Sequence, residues 1–158
     1  MQTVKTAIGL TLLSFWITGC ALFHRGDKTT LEICEQVSSA LPPENAEAVE
    51  LPLANLKLSV SPFPVLTEKD VLSAELYNTA GGEAILVRFG IHGAIVLDEV
   101  TTSNRGRYLV TFLNHRPVAA WLVNQRILNG QFLIEGDFSD AEAKQAVDAL
   151  NRIAKTNR

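Results

Sequence analysis

Two cysteines, three histidines and two close carboxylate pairs are the side chains whose chemistry could carry a function. His24, His92 and His115 lie far apart, and no pair has the spacing of metal ligands, which cluster. Glu32 with Glu35, and Asp98 with Glu99, read as acids on solvated faces. No Gly-x-Ser-x-Gly elbow is present. Gly81-Gly82-Glu83 lacks the lysine and serine of a phosphate loop. Without a nucleophile, a base and an orienting group that converge, the sequence points away from an enzyme, a metal site or a cofactor.

Cys20 is different because of what precedes it. Lys5 is the only charge before it, and an apolar run follows from Ala7 to Ile17. Thr18 and Gly19 are the small residues that let a peptidase approach the backbone. A basic start, a short apolar core and small residues define an export leader. The run is well short of the ~20 residues that cross a bilayer. Ile17-Thr18-Gly19-Cys20 resembles the bacterial lipobox, in which the thiol forms a thioether to diacylglycerol and the cysteine becomes the mature N-terminus. The resemblance implies a leader over residues 1–19, an acylated Cys20 with a polar tether over residues 20–28, and one domain over residues 29–158. Several acyl chains hold a protein firmly on a membrane. Ala21, where Asp would favour the inner membrane, leans toward the outer one.

Removing the leader takes away Lys5 and no acid, so the mature chain has 13 basic and 17 acidic residues, a net charge of −4. That balance argues against nucleic acid, whose phosphates call for basic side chains, and against charge-driven binding of anionic lipid. Cys34 is the only other cysteine. With Cys20 acylated it has no intramolecular partner, which leaves it buried or open to pairing with another chain.

The elements that would position these residues follow from periodicity and punctuation. Leu31, Ile33 and Val37 alternate with polar residues as in a strand, with a helix through Leu41 as the alternative. Leu41-Pro42-Pro43 makes a turn, and Val49 to Leu53 and Leu56 to Val60 alternate again. Thr67, with Glu68 and Asp70 in the first turn, predicts a helix whose apolar side is Val71, Leu72 and Leu76. Ala84–Phe89 is an apolar strand, and residues 92–103 a helix closed by Asn104-Arg105-Gly106. Tyr108–Leu113 and Val118–Val123 form a hairpin across Asn114–Pro117. Asn129-Gly130 turns into a strand at Phe132–Ile134. Ser139 with Glu142 starts a last helix, buried through Ala143, Ala146, Val147, Leu150 and Ile153. Trp121 is expected to pack with Phe112, Phe132 and that helix. The order gives an α+β fold, a mixed or antiparallel sheet with helices packed on one face.

Residues 84–151 resemble the head of the first periplasmic domain of SecD and SecDF, accessory subunits of the protein-export translocon. The resemblance rests on Gly93-Ala94 at a helix start, Thr101 or Thr102 near its end, and Gly106-Arg107 before an apolar strand. It continues through Ile127, Gly130 and Ile134-Glu135-Gly136 to Phe138-Ser139-Asp140-Ala141-Glu142-Ala143. Asn114-His115-Arg116 stands where the family has an Asp-Gly turn. The resemblance implies a periplasmic, non-catalytic module on a lipid anchor that binds extended or unfolded polypeptide, by exposed strand edges and an apolar groove, in export or envelope assembly. The alternative is a scaffolding lipoprotein that docks one folded partner. The binding residues are left open.

Overall fold

A computed structural model describes residues 29–40, 42 and 44–157 of the chain. The expected leader, Cys20, His24 and the tether lie outside them, as do residues 41 and 43 of the proline turn.

Strand β1 (Leu31–Glu35) is paired on both sides, with β4 (Leu66–Thr67) and with β7 (Tyr108–Leu113), and β8 (Arg116–Leu122) completes an antiparallel sheet in the order β4-β1-β7-β8. Alternation divides its residues between two cores. Leu31, Ile33, Leu109 and Leu113 enter the main core. Cys34, Val110 and Phe112 enter a second cluster with Val49, Leu51 and Val60 of the hairpin β2 (Glu47–Leu51) and β3 (Leu56–Val60). Burial on both faces explains why β7 is apolar almost throughout. The β7–β8 loop is two residues, Asn114 and His115, both at positive φ (51° and 61°). That is the primed turn that matches strand twist, built without the usual glycine.

A second antiparallel sheet has the order β5 (Val71–Thr79), β6 (Gly82–Phe89), β9 (Gln131–Ile134). Its Ala74, Ile85, Val87, Phe89, Phe132 and Ile134 share the main core with α1 (Ile91–Ser103) and α2 (Asp140–Thr156). The α2 stripe is as expected, with Ile153 half-buried and Ala149 and Ala154 buried beside it. The Ser139–Glu142 capping box that starts it is complete.

Three expectations are corrected. Thr67 does cap, with Asp70 reciprocating, but the turn it starts is a single 3-10 turn over Glu68–Asp70. The chain then runs as β5, pairing with β6 from Val71–Phe89 to Thr79–Gly82. A cap is a local signal, and a bulge between Val71 and Ser73 gave the strand a spacing that mimics a helix. Leu53 belongs to no strand; it lies in the β2–β3 turn and is 78% exposed. Trp121 is half-buried, edge-on to Phe132 with ring centroids 5.7 Å apart. Phe112 lies on the opposite face of the sheet, in the second cluster. Residues 31–35 form a strand and not a helix.

Candidate functional site

Two sheets leave strand edges, and an unpaired edge templates the addition of another strand. The β5 edge is stopped. Asn151 of α2 accepts from Ala74 N–H at 3.0 Å and donates to the Ala74 carbonyl at 2.8 Å, as a neighbouring strand would.

The β8 edge is not. Val123 N–H donates to the Arg107 carbonyl, so Trp121 and Ala119 turn toward β7 and Ala120 and Leu122 turn outward. Among the described residues no strand pairs with that edge. Only its first part is occupied, where Asp137 N–H donates to the Val118 carbonyl at 2.7 Å. Gly136 allows this close pass, since a Cβ there would overlap the Val118 carbonyl.

Recesses flank the open edge on both faces. On the face of the second cluster, a cavity of about 280 Å³ lies among Leu51, Leu53, Pro117, Ala119, Ala120 and Gly136. On the other, a shallower one of about 530 Å³ lies along Trp121, Ile127, Leu128 and Phe132. An extended peptide sends alternate side chains to opposite faces, so an added strand would fill both. Glu135 and Asp137 form an acidic rim. Arg116 lies 3.6 Å from Asp137 and 3.2 Å from Glu142.

The side chains with chemical potential are scattered. His92 pairs with Asp70 at 3.3 Å and His115 with Glu32 at 3.4 Å, at separate places on the surface. Glu35 accepts from the buried Asn104 side chain. Asp98 forms a two-pronged pair with Arg126, one prong at 2.7 Å, and that hydrogen bond holds its carboxyl below the usual range. Glu99 is exposed. Cys34 is 6% exposed. Burial above all, then Glu32, Glu47 and Glu35, pushes its thiol up to about 12. Among the described residues no three acidic, histidine or cysteine side chains gather as metal ligands. No helix there is long and apolar enough to cross a membrane.

The motif residues hold the frame and line the groove only in part. Gly130, at φ +64°, lies against Ala94, where a Cβ would come within 2.7 Å. Thr101 is buried and accepts from Ile127 N–H at 3.0 Å. With Arg126 on Asp98, these contacts lay residues 126–130 along α1. Of the motif residues, Glu135 and Gly136 touch the first recess and Ile127 the second. The other wall of the first recess, Leu51–Ala54 and Pro117–Ala120, carries no local pattern that marks a site. Alternation in β8 could have suggested a strand, but that β5 is capped at its edge depends on Asn151, distant in sequence.

The family model for the SecDF P1 head subdomain matches residues 46–152, so the likeness takes in the β2–β3 hairpin as well as the expected region. Among solved structures, the chain is similar to SecDF, a membrane component that enhances protein export, with a TM-score of 0.61 and 22% identity over 78% of this chain and 62% of that one. It is similar to SecDF in its super-membrane-facing form, with a TM-score of 0.61 and 24% identity over 78% of this chain and 19% of that one. The chain thus spans less than two thirds of either structure's length, and at these identities they speak for the fold. No curated protein matches it by sequence. With the family match running from the β2–β3 hairpin into α2, the chain belongs to the SecDF P1 head family.

Proposed function

We propose that this chain is a non-catalytic envelope module that holds extended, unfolded polypeptide as an accessory to protein export, on a lipid anchor at Cys20. The observation that carries the reading is the unpaired β8 edge at Ala120 and Leu122, between a mainly apolar recess and one of mixed polarity, with the β5 edge capped at Ala74. The fold is that of a domain found in a membrane component that enhances protein export. The anchor rests on Ile17-Thr18-Gly19-Cys20, and Ala21 favours the outer membrane. A module without an energy source holds a client and does not pull it, so affinity is modest. Micromolar binding is about −8 kcal/mol, within reach of a short added strand and two apolar contacts.

The test titrates the full chain with unfolded exported proteins and with the same proteins folded, beside the Ala120→Pro variant. Ala120 N–H points away from β7, so proline is tolerated there but cannot donate to an added strand. Micromolar binding of unfolded clients alone, lost in Ala120→Pro, is the expected result. Equal binding of folded and unfolded forms, or none, sinks the reading in favour of a scaffold for one folded partner. Mass spectrometry of the native protein tests the anchor: a chain starting before an unmodified Cys20 removes it.

A further inference from the structure

The two helices differ on their outer sides. Apart from Ala141, the exposed positions of α2 are polar, among them Lys144, Gln145, Asp148, Arg152 and Lys155. On α1, Leu97 and Val100 face the core, yet Ile91 is 86% and Ile95 62% exposed, one turn apart on the opposite side. The other exposed positions of α1, His92, Glu99, Thr102 and Ser103, are polar, so the exposed apolar patch is confined to the first turns of the helix.

The start of the described domain lies close to this face. Leu31 N–H donates to Glu68 at 3.4 Å, in the 3-10 turn that ends at Asp70. The Asp70 carbonyl accepts from Gly90 N–H at 2.8 Å, and its carboxylate meets His92 at 3.3 Å. The chain therefore enters the domain one short turn from the α1 N-terminus. Residues 21–28 between Cys20 and Thr29 reach no more than ~30 Å when fully extended.

We infer that Ile91 and Ile95 form a face that rests on the lipid bilayer to which Cys20 is anchored. The inference rests on the proposed anchor and adds an orientation to it. The helix approaches N-terminal end first. Asp98 is the first acid along α1, and Arg126 neutralises it; the exposed Glu99, four residues past Ile95, limits how much of the helix can settle. Apolar side chains in such a face sit at the boundary of head groups and acyl chains. The face binds without basic residues, in keeping with an acidic chain.

The test uses the full-length acylated protein in vesicles of phosphatidylethanolamine and phosphatidylglycerol carrying brominated acyl chains. A fluorophore is placed on His92→Cys, beside Ile91, or on Lys57→Cys, on the hairpin across the first sheet from the helices. Cys34 is buried and Cys20 acylated, so each variant has one reactive thiol. Several-fold stronger quenching at 92 than at 57, abolished by Ile91→Glu with Ile95→Glu, is the expected result. Equal quenching at both sites in protein that floats with the vesicles overturns the face and leaves the anchor standing. Energy transfer between labelled copies at 92 without quenching gives the face to a second copy and overturns the proposal. Failure to float overturns the anchor, and the face with it.

Discussion

The side-chain amide of Asn151 satisfies both backbone polar groups of Ala74, at 3.0 and 2.8 Å, and so takes the place of a strand on the outer edge of β5. Asparagine suits this role because one planar group carries a donor and an acceptor side by side. The same helix that covers the core thereby closes the β5 edge at Ala74, whereas among the described residues no strand or side chain closes the β8 edge at Ala120 and Leu122.

Asn151→Leu keeps the size but leaves the Ala74 N–H and carbonyl without partners. The expected cost is about 1–3 kcal/mol in chemical denaturation. Because β5 then offers an open edge, the variant should also self-associate, measured by light scattering against concentration. A variant as stable and as monomeric as the parent would show that the amide does not guard the edge.

Most of the frame was legible in the sequence, and the misses have physical causes. The β7–β8 hairpin, α1 and the capping box at Ser139 are set by neighbours within a few residues, so periodicity and turn residues reveal them. The segment after Thr67 failed because its cap is real but its continuation is decided by β6, whose pairing the cap cannot see. For Cys34, alternation with Glu32 and Gln36 left burial and pairing with another chain both open, and the β2–β3 hairpin decides for burial. The groove was invisible, since its walls come from residues 51–54, 117–120 and 135–137 and it exists only after both sheets assemble.

Cys34 should behave as an inert thiol while the protein is folded. At pH 8 maleimide should leave it unmodified in buffer and react with it in denaturant, in a form whose Cys20 is acylated. Its raised value, about 12 against 9.0 for a free thiol, makes the fold favour the protonated form. The unfolded chain loses this proton first, so that contribution is full below pH 9 and is lost as pH climbs toward 12. Rapid labelling of native protein at pH 8 would place the thiol at the surface.

Arg126 should set both the charge state of Asp98 and the position of the segment after it. Its hydrogen bond is the main reason the Asp98 carboxyl lies below the ordinary value of 3.8. A depressed carboxyl contributes stability above that value and loses it as pH falls through the lowered one. In Arg126→Ala, the Asp98 titration followed by NMR should move up toward the ordinary value. The Ile127 amide, held by Thr101 at 3.0 Å, should exchange faster. An unchanged Asp98 titration would mean that the pair does not form in solution.

Gly136 separates the stability of the groove from its use. A Cβ there overlaps the Val118 carbonyl, so Gly136→Ala must push the loop away and break the bond from Asp137 N–H. The Asp137 N–H and the Val118 carbonyl then go unpaired, at an expected cost of about 2 kcal/mol. Exchange should quicken at the Asp137 amide and stay slow at Val123, which bonds toward β7. The edge at Ala120 and Leu122 remains, and the departing loop uncovers the Val118 carbonyl beside it. Unfolded clients should therefore still bind Gly136→Ala at temperatures where it is folded, while the well-folded Ala120→Pro should not bind them. If Gly136→Ala lost binding and Ala120→Pro kept it, the clients would be held by the loop and its acidic rim, and the added strand would be the wrong mode.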